Sequence, residues 1–110
     1  METTARLKGL RMTPRKVRAV VDTVRGKPVG EALNILAYTR RAAAVPVAKL
    51  IKSAVSNADQ AGMDVDTLYV KTITVDQGAT MKRFQARAMG RAFRVEKKTS
   101  HVEVALAARS

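Results

Sequence analysis

The chain has 110 residues, with 21 Lys and Arg against 9 Asp and Glu, a formal charge of +12, and neither cysteine nor tryptophan. That length fits one domain with a modest core, and the lack of cysteine excludes disulfides and thiolate metal sites. A charge surplus this large on a small domain repels itself and calls for a polyanionic partner.

Hydrophobic residues make up 46% of the chain, but its only aromatics are Tyr38, Tyr69, Phe84 and Phe93. The core is therefore expected to consist of Val, Leu, Ile and Ala. The opening METTARLKGLRMTPRK holds no apolar run of signal-peptide length. The longest apolar run, AAAVPVA, is too short to span a membrane and carries a proline. These features predict a soluble, intracellular protein with no membrane insertion.

Before Thr13 no element is assigned, but Arg6, Lys8 and Arg11 begin an acid-free basic cluster that Arg15, Lys16 and Arg18 complete. TPRKVRAVVDTVRG predicts a helix with Thr13 as cap, Pro14 in its first turn and Gly26 as its stop. Val17, Val20, Val21 and Val24 make its buried stripe, and the bases lie off that stripe. A second helix starts near Pro28, with Val29, Ala32, Leu33 and Leu36 repeating the spacing. The third carries Val47, Leu50, Ile51, Ala54, Val55 and Ala58, begins somewhere between Thr39 and Pro46, and closes near Gly62. Three amphipathic helices need a surface to cover.

Two strands supply it. In LYVKTITVDQG the odd positions Tyr69, Ile73 and Val75 are apolar; in SHVEVALA the even positions Val102, Val104 and Leu106 are. Antiparallel pairing of the two sets places Val75 opposite Val102, Ile73 opposite Val104, and Asp76 opposite His101. Continued outward, the same register puts Phe84 opposite Phe93 and Arg83 opposite Arg94. The predicted fold is α+β: three helices on a small antiparallel sheet, with a long basic β-hairpin projecting from the body. One domain spans 1–110, its body about 1–77 and 100–110, its hairpin about 78–99. About twelve residues per arm would reach roughly 40 Å, beyond the ~27 Å diameter of a compact domain of this size. A lone two-stranded ribbon of that length is unstable in water, and Arg83 facing Arg94 would weaken it further. Such a finger makes sense with an anion around it.

Charge placement agrees. From Met81 to Lys98 the bases Lys82, Arg83, Arg87, Arg91, Arg94, Lys97 and Lys98 meet a single acid, Glu96. From Asp22 to Thr80 bases and acids nearly balance. A mixed-charge body between two acid-poor clusters points to polyanion binding, and Arg exceeds Lys in both, which suits bidentate phosphate contacts. No catalytic set competes with this reading. His101 is the lone histidine and reads as a cross-strand polar partner of Asp76. Asp64 and Asp66 read as a turn, not a Mg²⁺ site. RGKPVG lacks the ending of a phosphate-binding loop. No enzyme activity, metal or cofactor is expected.

The segments MTPRKVRAVVDTVRGKPVGEALNIL, KSAVSNA and VDQGATMKRFQARAMGRAFRVEKKTSHVEV resemble the family of bacterial large-subunit ribosomal protein L-twenty-two, in order, from about Arg11 to Val104. The resemblance implies a body bound to ribosomal RNA, with neighbouring ribosomal proteins, in the large subunit. It also implies a role in assembly, and a finger threading through RNA to line the polypeptide exit tunnel near its constriction. By position, Arg11, Pro14, Arg15, Lys16 and Arg18 match a first RNA-contacting motif. Lys82, Arg83, Arg87, Arg91, Lys97, Lys98, Thr99, Ser100 and His101 match a second, to which Arg94 adds an arm cation. The tip facing the nascent polypeptide would be Arg87, Ala88, Met89, Gly90 and Arg91. Ala86 stands where this family usually has proline, Met89 where a base is usual, and Phe93 where a polar residue is common. On the residues alone, two alternatives stay open: an architectural DNA-binding protein whose hairpin wedges base steps, and an RNA-processing enzyme.

Overall fold

The computed structural model describes residues 2–78, 81–86 and 92–108, with 81–86 and 92–97 described by backbone alone. The described elements run β1 (Glu2–Leu10), α1 (Pro14–Val21), α2 (Val29–Tyr38), α3 (Ala44–Gln60), a 3-10 turn (Val65–Thr67), β2 (Leu68–Gln77), β3 (Met81–Ala86), β4 (Ala92–Lys97) and β5 (Ser100–Ala108). An antiparallel sheet of order β1-β5-β2 carries the helices on one face, and β3 and β4 pair as a separate two-stranded sheet.

The helices follow the apolar spacing. Val17, Val20, Val21 and Val24 are fully buried, as are Val47, Ile51, Ala54 and Ala58. A fully buried Val or Ile is worth about 1.5–3 kcal/mol relative to exposure, so this stripe dominates helix docking. Among the described residues, no aromatic side chain enters the core. The first helix is shorter than predicted. It ends at Val21, and the chain tightens through Thr23 N–H to Val20 O and Val24 N–H to Val21 O, each at 3.1 Å. The Thr23 hydroxyl also donates to Val20 O, which competes with the next helical bond. Pro46 sits in the first turn of α3, where its missing N–H has no intrahelical partner to lose. α3 ends with Met63 N–H on Ala58 O and Gly62 N–H on Asp59 O, both at 3.0 Å, which satisfies its last carbonyls.

Sequence patterning missed β1, although Thr3, Ala5 and Leu7 alternate in burial with Thr4, Arg6 and Lys8. Pairing with β1 turns β5 into the central strand. Val75 opposite Val102, Ile73 opposite Val104 and Asp76 opposite His101 occur as predicted. Tyr69 is different: the register slips between Val70 and Thr72, so Leu68 and Val70, not Tyr69, join the core. An extra residue in one strand switches which parity faces inward.

A second slip corrects the finger. Gln77 pairs with Ser100, yet Met81 pairs with Lys97. The outgoing strand therefore carries one residue more than the returning strand between the two ladders. Phe84 consequently pairs with Arg94 and Gln85 with Phe93, and Arg83 pairs with Val95. The predicted Phe84–Phe93 and Arg83–Arg94 pairs do not form, because a continuous ladder was assumed where the strand slips. Gly78 lies at this joint, with its N–H on Thr99 O at 2.9 Å. A Cβ there would lie 2.6 Å from Thr99 Oγ1 and 2.8 Å from His101 Cε1. Only glycine fits without moving both side chains. The tip residues Arg87, Ala88, Met89, Gly90 and Arg91 lie outside the described residues.

Candidate nucleic-acid interface

The first basic cluster divides between two elements. Arg6 and Lys8 lie on β1, Arg11 follows it, and Arg15, Lys16 and Arg18 lie on α1. Arg11, Arg15 and Lys16 are exposed, whereas Pro14 is buried. Arg6 is ion-paired with Glu103 at 2.8 Å across to the neighbouring strand. Arg18 also serves the fold, since its Nη2 donates to Val75 O at 2.9 Å. Arg25 Nη2 does the same to Ile73 O at 2.8 Å. Further along β2, Gly26 N–H donates to Val70 O and Lys27 O accepts from Val70 N–H, both at 2.9 Å. The outer edge of β2 is thus occupied by α1 and the turn after it, which blocks pairing with another chain.

The second cluster begins at the root of the finger. Lys98 is exposed, but Thr99 is 7% exposed and Ser100 is 0% exposed. The Ser100 hydroxyl donates to Met12 O at 2.6 Å. The His101 Nδ1 accepts the Gly9 N–H at 3.0 Å, which requires that nitrogen to be unprotonated and leaves the proton on Nε2. Gly9 makes this reach from a left-handed φ of 73° within the slip of β1 between Leu7 and Leu10. Thr99, Ser100 and His101 therefore brace the joint, and Ser100 offers no side-chain atom to solvent. In β3 and β4, Lys82 pairs with Glu96 and Lys97 with Met81 along the backbone.

These bonds bring together what the sequence separates. Ser100 bonds Met12 across 88 positions, and His101 bonds Gly9 across 92. The start of α1, with Arg11, Arg15 and Lys16, is consequently anchored beside the finger root and Lys98. The first basic cluster thus lies at the same end of the body as Lys98, where the second cluster joins it.

Other candidates resolve into local structure. Asp64 Oδ1 accepts the Asp66 N–H at 3.1 Å and caps the 3-10 turn. His101 and Asp76 line a concavity of about 270 Å³ on the sheet's outer face, together with Lys8 and the paired Arg6 and Glu103. Sequence reasoning missed one basic stretch. From Ala32 to Ala58 the chain has four bases, Arg40, Arg41, Lys49 and Lys52, and no acid. Counting charge over Asp22–Thr80 averaged it away against acids at both ends.

A basic α+β protein, in which a two-stranded ribbon springs from a braced cationic root, is the class these features define. The family model for Ribosomal protein L22p/L17e matches residues 5–107, and the chain belongs to this family. It is 63% identical over 110 residues to Large ribosomal subunit protein uL22 of Myxococcus xanthus, covering 97% of this chain and 96% of that one. The protein of the same name from Anaeromyxobacter sp. (strain K) is 65% identical over 104 residues, covering 93% of this chain and 71% of that one. That of Pelobacter propionicus is 55% identical over 107 residues, with 96% of each chain covered. This is a family of structural ribosomal proteins, not of enzymes, and the DNA-binding alternative finds no support in it.

Proposed function

We propose that this protein is a structural constituent of the large ribosomal subunit in the cytoplasm, where it binds ribosomal RNA and supports assembly. Its relatives are named large-subunit proteins. The observation that carries the RNA reading is the convergence of the two basic clusters at the finger root through the Ser100–Met12 and His101–Gly9 bonds. Arg11, Arg15, Lys16 and Lys98 supply phosphate contacts from the body. Arg18 adds one with the donors not committed to Val75 O. Pro14, Thr99 and Ser100 act from inside by holding that surface in shape. Lys82, Arg83, Arg94 and Lys97 neutralise phosphate along the finger, whose Arg87–Arg91 tip faces the exit tunnel and the nascent polypeptide. Neighbouring ribosomal proteins complete the surroundings.

The test is binding of the full chain to large-subunit ribosomal RNA as a function of salt. Each phosphate contact contributes about 0.7–0.9 to the slope of log affinity against log salt. Replacing Arg11, Arg15 and Lys16 together with Ala should weaken binding and flatten that slope by about two units. An unchanged slope would return these residues to a merely solvated face.

A further inference from the structure

The corner between α2 and α3 has features that the two basic clusters do not explain. Tyr38, the last residue of α2, is 82% exposed, the most exposed large hydrophobic side chain among the described residues. The chain has just four aromatic residues, and this one lies outside the core. Arg40 and Arg41 follow after Thr39, both exposed. Arg41 lines a concavity of about 300 Å³ with Lys16 and Met12, so the corner opens onto the first basic cluster. Lys49 and Lys52 line a second concavity beside it with Val45 and Thr39.

We propose that this corner binds an unpaired RNA nucleotide, its base stacked on Tyr38 and its flanking phosphates held by Arg40, Arg41 and Lys16. The inference rests on the RNA-binding reading above and extends it to an adjoining site that shares Lys16 with the first cluster. An isolated exposed aromatic would need no explanation. Within an acid-free stretch it becomes a stacking platform beside phosphate donors, the combination that holds single strands. Arginine suits both roles, through bidentate phosphate contact and its flat guanidinium. The end of α2 does not oppose an anion strongly, because Thr39 Oγ1 donates to Ile35 O at 2.8 Å and its N–H to Leu36 O. The positive end of the α3 dipole lies on the other side of the corner. A protein partner is disfavoured by the four uncompensated cations. A duplex is disfavoured because its bases are already stacked.

The experiment measures affinity of the full chain for three probes: large-subunit ribosomal RNA, a single-stranded oligoadenylate, and that strand in a duplex with oligouridylate. Tyr38→Ala should weaken single-strand binding about fivefold to a hundredfold, with Tyr38→Phe near wild type and duplex binding unchanged. Arg40→Ala with Arg41→Ala should lower the single-strand salt slope by about 0.7 per phosphate lost. Tyr38 is too exposed for its truncation to disturb the core, so a null result is interpretable. If the wild type binds ribosomal RNA but Tyr38→Ala matches it on the single strand, the corner site is wrong and the general function stands. Equal RNA affinities with poorer incorporation into subunits would assign Tyr38 to a protein neighbour and also overturn the site. Failure of the wild type to bind any RNA would remove both readings.

Discussion

Ser100 shows how much one hydroxyl can organise. It is fully buried and serves the carbonyl of Met12, which ties the root of the finger to the start of α1. Removing it leaves a partly buried acceptor without its partner, a loss of about 1–3 kcal/mol. At about 4–8 °C per kcal/mol for a domain of this size, Ser100→Ala should lower the thermal midpoint of the free protein by several degrees. The salt slope of RNA binding should stay the same, because no phosphate contact is removed. A lower slope with an unchanged midpoint would instead make Ser100 an RNA ligand. Gly78 is the complementary case: its lack of a side chain is what lets Thr99 and His101 close over it.

At the scale of elements, α1 has two faces with different duties. Its valines enter the core, while Arg18, together with Arg25 from the turn that follows the helix, reaches over to carbonyls on the outer edge of β2. Arg15 makes no such reach and is exposed. The two arginines should therefore separate in mutation. Arg18→Ala should destabilise the free protein by about 0.5–1.5 kcal/mol, the net worth of a typical hydrogen bond, as read from denaturant midpoints. Arg15→Ala should leave the midpoint in place while still weakening RNA binding. Equal stability losses would mean that the Arg18 contact to β2 contributes nothing to the fold.

For the molecule as a whole, body and finger are expected to fail in different ways. The Cα radius of gyration is 17.2 Å, against about 13 Å for a compact domain of this length, so much of the chain lies far from the core. With Arg83 opposite Val95 and Arg94 opposite Phe84, each arm cation is free of a directly opposed like charge, and both suit phosphate. Replacing both with Ala should impair incorporation into the subunit. On the proposed exit-tunnel reading of residues 87–91, Met89→Lys should leave incorporation near normal and change nascent-chain stalling or the response to antibiotics that bind in that tunnel. Ribosome profiles and drug response for the two variants check the division; a tip change that blocks assembly would reverse it.

Local periodicity and charge were enough to determine the three helices, their valine and alanine stripes, the β2–β5 pairing near Ile73 and Val75, and the two basic clusters. Apolar spacing reports burial directly when an element is regular, and charge needs no folding to be counted. The tertiary structure alone decided where regularity breaks. β1 is a half-buried edge strand whose weak alternation acquires meaning only once β5 lies beside it. The slips at Lys71 and beyond Gln77 change strand parity, which no period-two pattern can anticipate, and so Tyr69 left the core and the two phenylalanines lost their pairing. Thr99, Ser100 and His101 match an RNA-contacting motif by resemblance, yet contacts to Gly9, Met12 and Gly78 draw them into the joint. Those partners lie far along the chain from them, and only folding brings such groups within hydrogen-bonding distance.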